Sequence, residues 1–525
     1  MNLSNYINGN WIQAVGEGTT LVDPVSGEAL VSVSSDGIDF ASALTFARDA
    51  GGQSLRAMSY EARAAMLGAI AEVLTANRDE YFDISRRNSG ATEGDAGFDV
   101  DGAIFTIKTY ARSGRKLGAA RMLSEGGRVP LAKTDAFQAQ HFLRPLEGVA
   151  IFINAFNFPA WGMWEKAAPA LLAGVPVFVK PATPTAWLAQ RMVEDVVAAG
   201  ILPPGAISIV CGGARDLLDH VRAGDVVSFT GSADTAQRIR SHPAVVANSV
   251  RVNVEADSVN AAIIGPDAAP GNAEFDLAVR EVVREMTIKT GQKCTAIRRV
   301  FVAEAQARVF ADAVAAKLSG MKVGNPASEG VRVGPLVNKA QQQVALEGIA
   351  ELRGECEVVC GGREDFGPVD ADPAVSAFVE PTLLYCTDPG SATRVHEIEV
   401  FGPVATVIPY VDVTDVIALA RRGGGSLVAS VYSADLDFVT AVVDGIAGLH
   451  GRVMVVDAAV GTQHTGHGNV MPTCLHGGPG RAGGGEELAG LRALLMYHHR
   501  HVVQGGPEVL AALAREAADA AVLSA

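Results

Sequence analysis

The run Val149-Ala150-Ile151-Phe152-Ile153 contains no polar side chain. A strand apolar on both faces belongs inside a parallel sheet covered by helices, not on an antiparallel sheet with one wet face. The pattern around it repeats. A helical stretch over Ala160–Leu172 leads to the apolar run Val175–Val179, and a helix over Ala186–Ala199 leads to runs at Ala206–Val210 and Val226–Phe229. Strands alternating with helices predict parallel βαβ units.

A second such series begins after Glu255. It has a strand at Ala261–Ile264, a helix over Phe275–Thr290, a strand at Arg299–Val302 and a helix over Ala305–Leu318, with later strands near Val404–Ile408 and Leu427–Val431. Pro266–Asn272 reads as a linker, and the glycine-dense Gly477–Gly485 as a loop. Ahead of both series, a short strand start precedes Ala-rich helices over Phe40–Ala50 and Tyr60–Asn77. Two open α/β domains leave a cleft between them, the usual place for a cofactor and a reactive side chain.

The chain has 525 residues, enough for two or three domains. At 48% hydrophobic and 19% charged it is too apolar for disorder. A net charge of -15 argues against nucleic acid and anionic membrane surfaces, which need basic patches. Met1–Tyr6 lacks the basic and apolar regions of a secretory signal, and the richest apolar stretch, Gly148–Trp164, is interrupted by Asn154, Asn157 and Pro159. A cytoplasmic protein with no membrane or nucleic-acid partner is expected. Its six cysteines show no framework spacing and should be reduced. Cys356 and Cys360 have no His/Cys pair at ligand spacing, and Val358-Val359 reads as strand, so no metal site is expected.

The chemistry concentrates around Cys294, in a Gly-Gln turn between the apolar segments Arg284–Ile288 and Val300–Val302. A lone cysteine is ordinarily a small buried hydrophobe. A turn with free backbone N–H groups instead favours the reactive thiolate. Attack on an aldehyde gives a thiohemiacetal whose oxygen needs donors. Asn157, on a non-helical turn before Pro159, can be one, although it also reads as a turn-former, and the Cys294 backbone N–H can be the second. Glu255 ends a strand-like run and is a plausible base to activate water against a thioester. Asp257 competes for that role, and either acid could simply be a solvated strand end. Lys180 sits at the carboxyl end of a strand, where parallel sheets bind ligands. Ser232 opens a helix over Ala233–Arg240, whose N-terminus suits a pyrophosphate. There is no G-x-G-x-x-G fingerprint.

Lys180-Pro181-Ala182, Phe229-Thr230-Gly231-Ser232, Glu255, Lys289–Ala296 and Glu399–Pro403, in that order, resemble the aldehyde dehydrogenase superfamily, over the chain to about Val503. The resemblance implies an α/β aldehyde dehydrogenase fold. A Rossmann-like cofactor domain would take residues 1–122 and 147–256, and an α/β catalytic domain residues 257–475. A small antiparallel bridging element, from Leu123–Leu146 and a strand near His499–Gln504, would make a homodimer. Residues 123–146 and 490–525 would form this element and the C-terminal tail, an Ala-rich helix over Pro507–Leu523.

By motif, Cys294 resembles the nucleophile, Glu255 the general base and Asn157 the oxyanion residue. Lys166 and Glu487 match a pair that relays protons to the base. Lys180 and Glu399 resemble the ribose-binding pair, Ser232 the pyrophosphate contact and Phe401 the contact on the nicotinamide ribose. Ile153, Thr183, Gly213 and Phe229 complete the implied cofactor site, with Phe158 and His476 on the substrate side. Thr183 stands where NAD-preferring relatives carry a glutamate, which implies NADP, with NAD used less efficiently.

Two departures stand out: Glu255-Ala256-Asp257-Ser258 replaces the usual Glu-Leu-Gly-Gly, and Ala236 replaces a glycine after the phosphate turn. Together with TGQKCTAIRR and HGGPGRAGGGEELAGLRAL, the first is similar to a branch acting on CoA-linked semialdehydes in aerobic benzoyl-CoA degradation. The same branch includes the dehydrogenase half of a bifunctional ring-opening enzyme of phenylacetate degradation. That enzyme carries a further hydratase domain, for which the tail here leaves no room, so the stand-alone enzyme is favoured. Two alternatives remain: a non-enzymatic protein on this fold, which loss of Cys294, Glu255 or Asn157 would signal, with none lost, and a CoA-acylating dehydrogenase. Such enzymes lack the water-activating glutamate, which Glu255 supplies here. No phosphate motif for CoA is evident.

Overall fold

The computed structural model describes residues 2–363 and 366–524. Its first sheet has seven strands, in the order Arg251–Glu255, Val226–Thr230, Ala150–Ile153, Val177–Lys180, Ile207–Ile209, Asn5–Ile7, Asn10–Ile12. The first five are parallel, and the N-terminal pair adds antiparallel at the edge. Successive side chains point to opposite faces, so Ala150, Phe152, Val177 and Val179 enter one core while Ile151, Phe178 and Val227 enter another. Burial on both faces is why these strands are apolar throughout.

The second seven-stranded sheet runs Cys356–Cys360, Thr382–Cys386, Val404–Tyr410, Ile297–Ala303, Asn260–Ile264, Ser426–Tyr432, His450–Val456. Only the Cys356–Cys360 edge strand is antiparallel. It too is buried on both sides, with Ala261, Ile263 and Phe301 in one core and Ala262, Ile264 and Val300 in the other.

A third sheet has four strands, in the order His498–Gly505, Gln138–Pro145, Met122–Pro130, Ala517–Asp519. Its last member corrects the expectation of one helix over Pro507–Leu523. The helix covers Pro507–Arg515 only, and Ala517–Asp519 pairs parallel with Met122–Ser124. Alanine's helix propensity is worth only tenths of a kcal/mol, and sheet pairing overrides it here.

The helix expected over Phe275–Thr290 ends at Thr287. Lys289 and Thr290 turn left-handed, at φ 50° and 55°. Tertiary bonds hold them there: Lys289 N–H donates to Asp95 Oδ1 at 2.6 Å, and Thr290 Oγ1 donates to the Gly334 carbonyl at 3.0 Å. The helix expected over Phe40–Ala50 changes to π-helical turns at Ala47–Gly52 before continuing to Ala57. Among the described residues, no helix is long and apolar enough to cross a membrane.

Candidate active site

Parallel register places Ile153 beside Lys180 and beside Phe229, and Thr230 beside Glu255. The carboxyl ends of four strands therefore form one edge, facing the loop that carries Cys294. That loop is fixed from several sides. Asn260 Nδ2 donates to the carbonyls of Cys294, at 2.7 Å, and Ala296, at 3.0 Å. The Arg298 guanidinium spans the carbonyls of Gly291 at 2.8 Å and Gly402 at 2.7 Å. Gly291 sits at φ +69°, and a Cβ there would overlap the Gly402 carbonyl oxygen. The nucleophile loop thus touches the Glu399–Pro403 segment backbone to backbone. Such fixing by buried hydrogen bonds leaves the cysteine in one place.

Two cavities meet at Cys294. One is a channel of about 50 Å³ walled by Phe98, Phe158, Trp161, Val470 and His476. The other, about 480 Å³, is lined by Phe229, Ser232, Glu399, Phe401 and Arg481. Asn157, Thr230, Glu255 and Cys294 line both. A group entering from either side reaches the same thiol, carboxylate and amide.

Around Glu255 the charges are dense. The ligating atoms of Glu255, Cys294 and His476 lie within 4.8 Å of one another, as do those of Glu165, Glu255 and Glu487. His476 Nε2 is 3.0 Å from Glu255 Oε2. Lys166 Nζ is 2.9 Å from both Glu165 and Glu487, and Asn253 Nδ2 donates to Glu487 at 2.9 Å. Burial pushes the Glu255 carboxyl up, but His476 and Lys166 outweigh it and hold the group below the usual carboxylate range. Burial lowers His476, yet the facing Glu255 carboxylate raises it to about 9, so the pair is ionised at neutral pH. Burial raises Glu487 above its ordinary value despite Lys166. Burial and the charge of Glu255 hold the Cys294 thiol protonated, with a hydrogen bond to Glu255.

On the other cavity, Ser232 caps the Ala233–Arg240 helix. Asp257 accepts from Ala233 N–H at 3.2 Å and lines the larger cavity, so its carboxylate serves the helix end, unlike that of Glu255. Glu399 accepts from Ser258 N–H at 3.1 Å, and burial raises its carboxyl to about 7. The Phe401 ring meets Phe156 edge-on at 5.6 Å. Ile153, Lys180, Thr183 and Gly213 do not wall this cavity, whereas Ala182, next to Thr183, does. His476, expected on the substrate side, lines the channel and also pairs with Glu255.

Several residues of this ensemble were not anticipated: Glu165, Asn260, Arg298, Phe98 and Trp161. Glu165 and Arg298 carried a signal, since each sits beside one other charge, Lys166 or Arg299, in an element whose remaining residues are mostly apolar, and a buried charge needs a partner. Asn260 carried none, because its partners lie on distant segments.

Residues 11–489 match the model of the aldehyde dehydrogenase family. The chain belongs to that family. This aldehyde dehydrogenase is similar to 3,4-dehydroadipyl-CoA semialdehyde dehydrogenase of Aromatoleum evansii, with 74% identity over 91% of this chain and 93% of that one. It is 27% identical to the succinate-semialdehyde dehydrogenase [NADP(+)] of Escherichia coli (strain K12), over 86% of this chain and 90% of the relative. The solved structure of 3,6-anhydro-L-galactose dehydrogenase superposes with a TM-score of 0.84 at 24% identity, covering 96% of this chain and all of that one, a likeness of fold. The chain is accordingly an oxidoreductase acting on aldehydes.

Proposed function

We propose that this aldehyde dehydrogenase oxidises 3,4-dehydroadipyl-CoA semialdehyde, a CoA-linked semialdehyde, to the carboxylic acid, with NADP as the preferred cofactor. One observation carries the chemistry: Cys294 and Glu255 touch where two cavities meet. The 74% identity to the Aromatoleum evansii enzyme supports the substrate.

Glu255 takes the Cys294 proton, and the sulfur attacks the aldehyde carbon. Asn157 and the Cys294 backbone N–H donate to the oxygen that becomes negative. NADP, when bound, supplies the hydride acceptor. The hydride leaves the substrate carbon, and the carbon–oxygen double bond reforms as a thioester on Cys294. Glu255 then removes a proton from water, which attacks the thioester and releases the acid and the thiol. Glu487 and Lys166 pass the proton away from Glu255; a Glu487 that titrates above the usual carboxylate range suits that task.

The larger cavity fits a dinucleotide. It is bounded by the capped helix at Ser232, which suits a pyrophosphate, and by Glu399 and Phe401, which suit a ribose and a nicotinamide. Lys180 supports NADP over NAD. It is half-buried, and no carboxylate among the described residues lies within 4.0 Å of its ammonium. With Thr183 in place of a glutamate, this corner can hold a 2′-phosphate. The reading includes a cytosolic homodimer joined through the bridging sheet.

The test is a panel of free and CoA-linked semialdehydes with each cofactor. We expect kcat/KM to be highest for the CoA-linked C6 semialdehyde with NADP. Equal efficiency with the free semialdehyde would remove the substrate assignment.

A further inference from the structure

A third cavity, about 1050 Å³, lies outside the site described above and is lined by Arg280, Arg284, Lys317, Lys322 and Arg332. Five cations around one groove are out of proportion in a chain of net charge -15. They come from separate elements. Arg280 and Arg284 lie one turn apart on the Ala273–Thr287 helix, Lys317 is near the end of the Glu304–Ser319 helix, and Lys322 and Arg332 sit on two paired strands. Among the described residues no carboxylate lies within 4.0 Å of Arg280, Lys317, Lys322 or Arg332; only Arg284 has one, Glu281 at 3.5 Å. All four unpaired cations are exposed. Glu93 and Asp95 line the groove too, so cations outnumber acids five to two, and an accessible excess of that kind attracts polyanions.

The groove and the substrate channel are lined by neighbouring residues of the same segments. On the helix Glu93–Gly114, Glu93 and Asp95 line the groove and Phe98 lines the channel, about 4.5 Å further along the axis. On the other side, the Arg284 guanidinium abuts Gly466, and two residues later Gly468 walls the channel.

We propose that the groove binds the phosphate-rich nucleotide of coenzyme A, its pyrophosphate and 3′-phosphate, while the pantetheine arm follows the channel toward Cys294. The proposal rests on the CoA-linked substrate reading and names the residues that make it specific. Guanidinium and ammonium groups pair well with phosphate oxygens, arginine bidentately.

The test uses the NADP-bound enzyme and its Lys317→Glu/Lys322→Glu/Arg332→Glu variant, all at exposed positions. Free CoA and 3′-dephospho-CoA are titrated calorimetrically, and KM is measured for the CoA-linked semialdehyde and its free counterpart. We expect CoA affinity to fall about tenfold or more in the variant, dephospho-CoA to bind wild type more weakly than CoA, and KM for the CoA-linked substrate to rise in step while kcat holds. Added salt should weaken CoA binding to wild type more than to the variant. Equal CoA affinity in wild type and variant, or no CoA binding to wild type, would overturn the groove assignment. A wild type that binds CoA here yet oxidises free and CoA-linked semialdehydes alike would instead overturn only the substrate reading.

Discussion

The His476 imidazole faces the Glu255 carboxylate at 3.0 Å, and both side chains are buried. A buried charge is tolerated when paired, so each partner sets the other's protonation. His476→Gln should release Glu255 from its strongest charge partner, leaving burial to raise its carboxyl. The acidic limb of the kcat/KM profile should then move to higher pH, and activity at a fixed pH on that limb should fall about tenfold for every pH unit the limb moves. Stability offers a second readout. The folded pKa of His476 is raised from 6.5 to about 9, so its contribution is complete below 6.5 and fades as pH climbs through about 9. The wild-type Tm should fall more steeply over that interval than the variant's. An unmoved acidic limb would show that the pair does not control Glu255.

Glu255→Gln and Cys294→Ala should fail differently. Without the thiol no covalent adduct forms, and turnover should drop by about a thousandfold or more while cofactor binding persists. Without the carboxylate the slow step should become thioester hydrolysis. Rapid-mixing traces should then show one equivalent of reduced cofactor followed by slow turnover, with the burst itself slowed because Glu255 touches the thiol. Normal steady-state rates in Glu255→Gln would reassign the base to Glu487.

Lys166→Met removes the cation that joins Glu165 and Glu487 at 2.9 Å each. Three carboxylates within 4.8 Å would then face one imidazole. A cost of about 3–5 kcal/mol is expected from breaking a buried pair, read from urea unfolding. Lowering the pH should recover part of it as Glu487, whose carboxyl is already raised, takes a proton. A urea midpoint matching wild type at alkaline pH would contradict this.

Thr183→Glu should invert cofactor choice. A carboxylate beside the ribose repels a phosphate of about −2 charge and leaves the two hydroxyls of NAD untouched. The ratio of kcat/KM for NADP over NAD is the measure, expected to exceed one in wild type and to fall by at least about tenfold in the variant. A wild type that prefers NAD would discard the idea.

Gly291→Ala should cost activity more than fold. Its φ of +69° and the Gly402 carbonyl leave no room for a methyl group, so the nucleophile loop must shift. A displacement of about 1 Å at a reacting centre can lose about a hundredfold in rate. Intact circular dichroism with unchanged kcat/KM would show that the loop adapts without consequence.

Much of this site was legible because its chemistry sits in short contiguous segments. Cys294, Asn157 and Ser232 each occupy a turn whose neighbours announce it. The apolar runs identified both parallel sheets for the same reason, since burial on two faces leaves a local mark. The His476–Glu255 contact had no such mark, because the Leu475–Gly477 strand meets the base only after the chain has folded. The Asp95 bond that bends Lys289 away from the helix is of the same kind. So is the terminal strand, where Ala517-Ala518-Asp519 carries helix-favouring composition and takes its conformation from Met122–Ser124.

That small terminal strand has a topological effect. A ribbon with two bare sides can keep adding copies of itself in both directions and grow without end. Here the two edges differ: one is the eight-residue His498–Gly505 strand, the other the three-residue Ala517–Asp519 strand laid over Met122–Ser124. Very short edge strands are one way a sheet discourages unwanted pairing. The tail thus makes the ribbon lopsided, with a long ladder offered on one edge and a short terminal strand on the other.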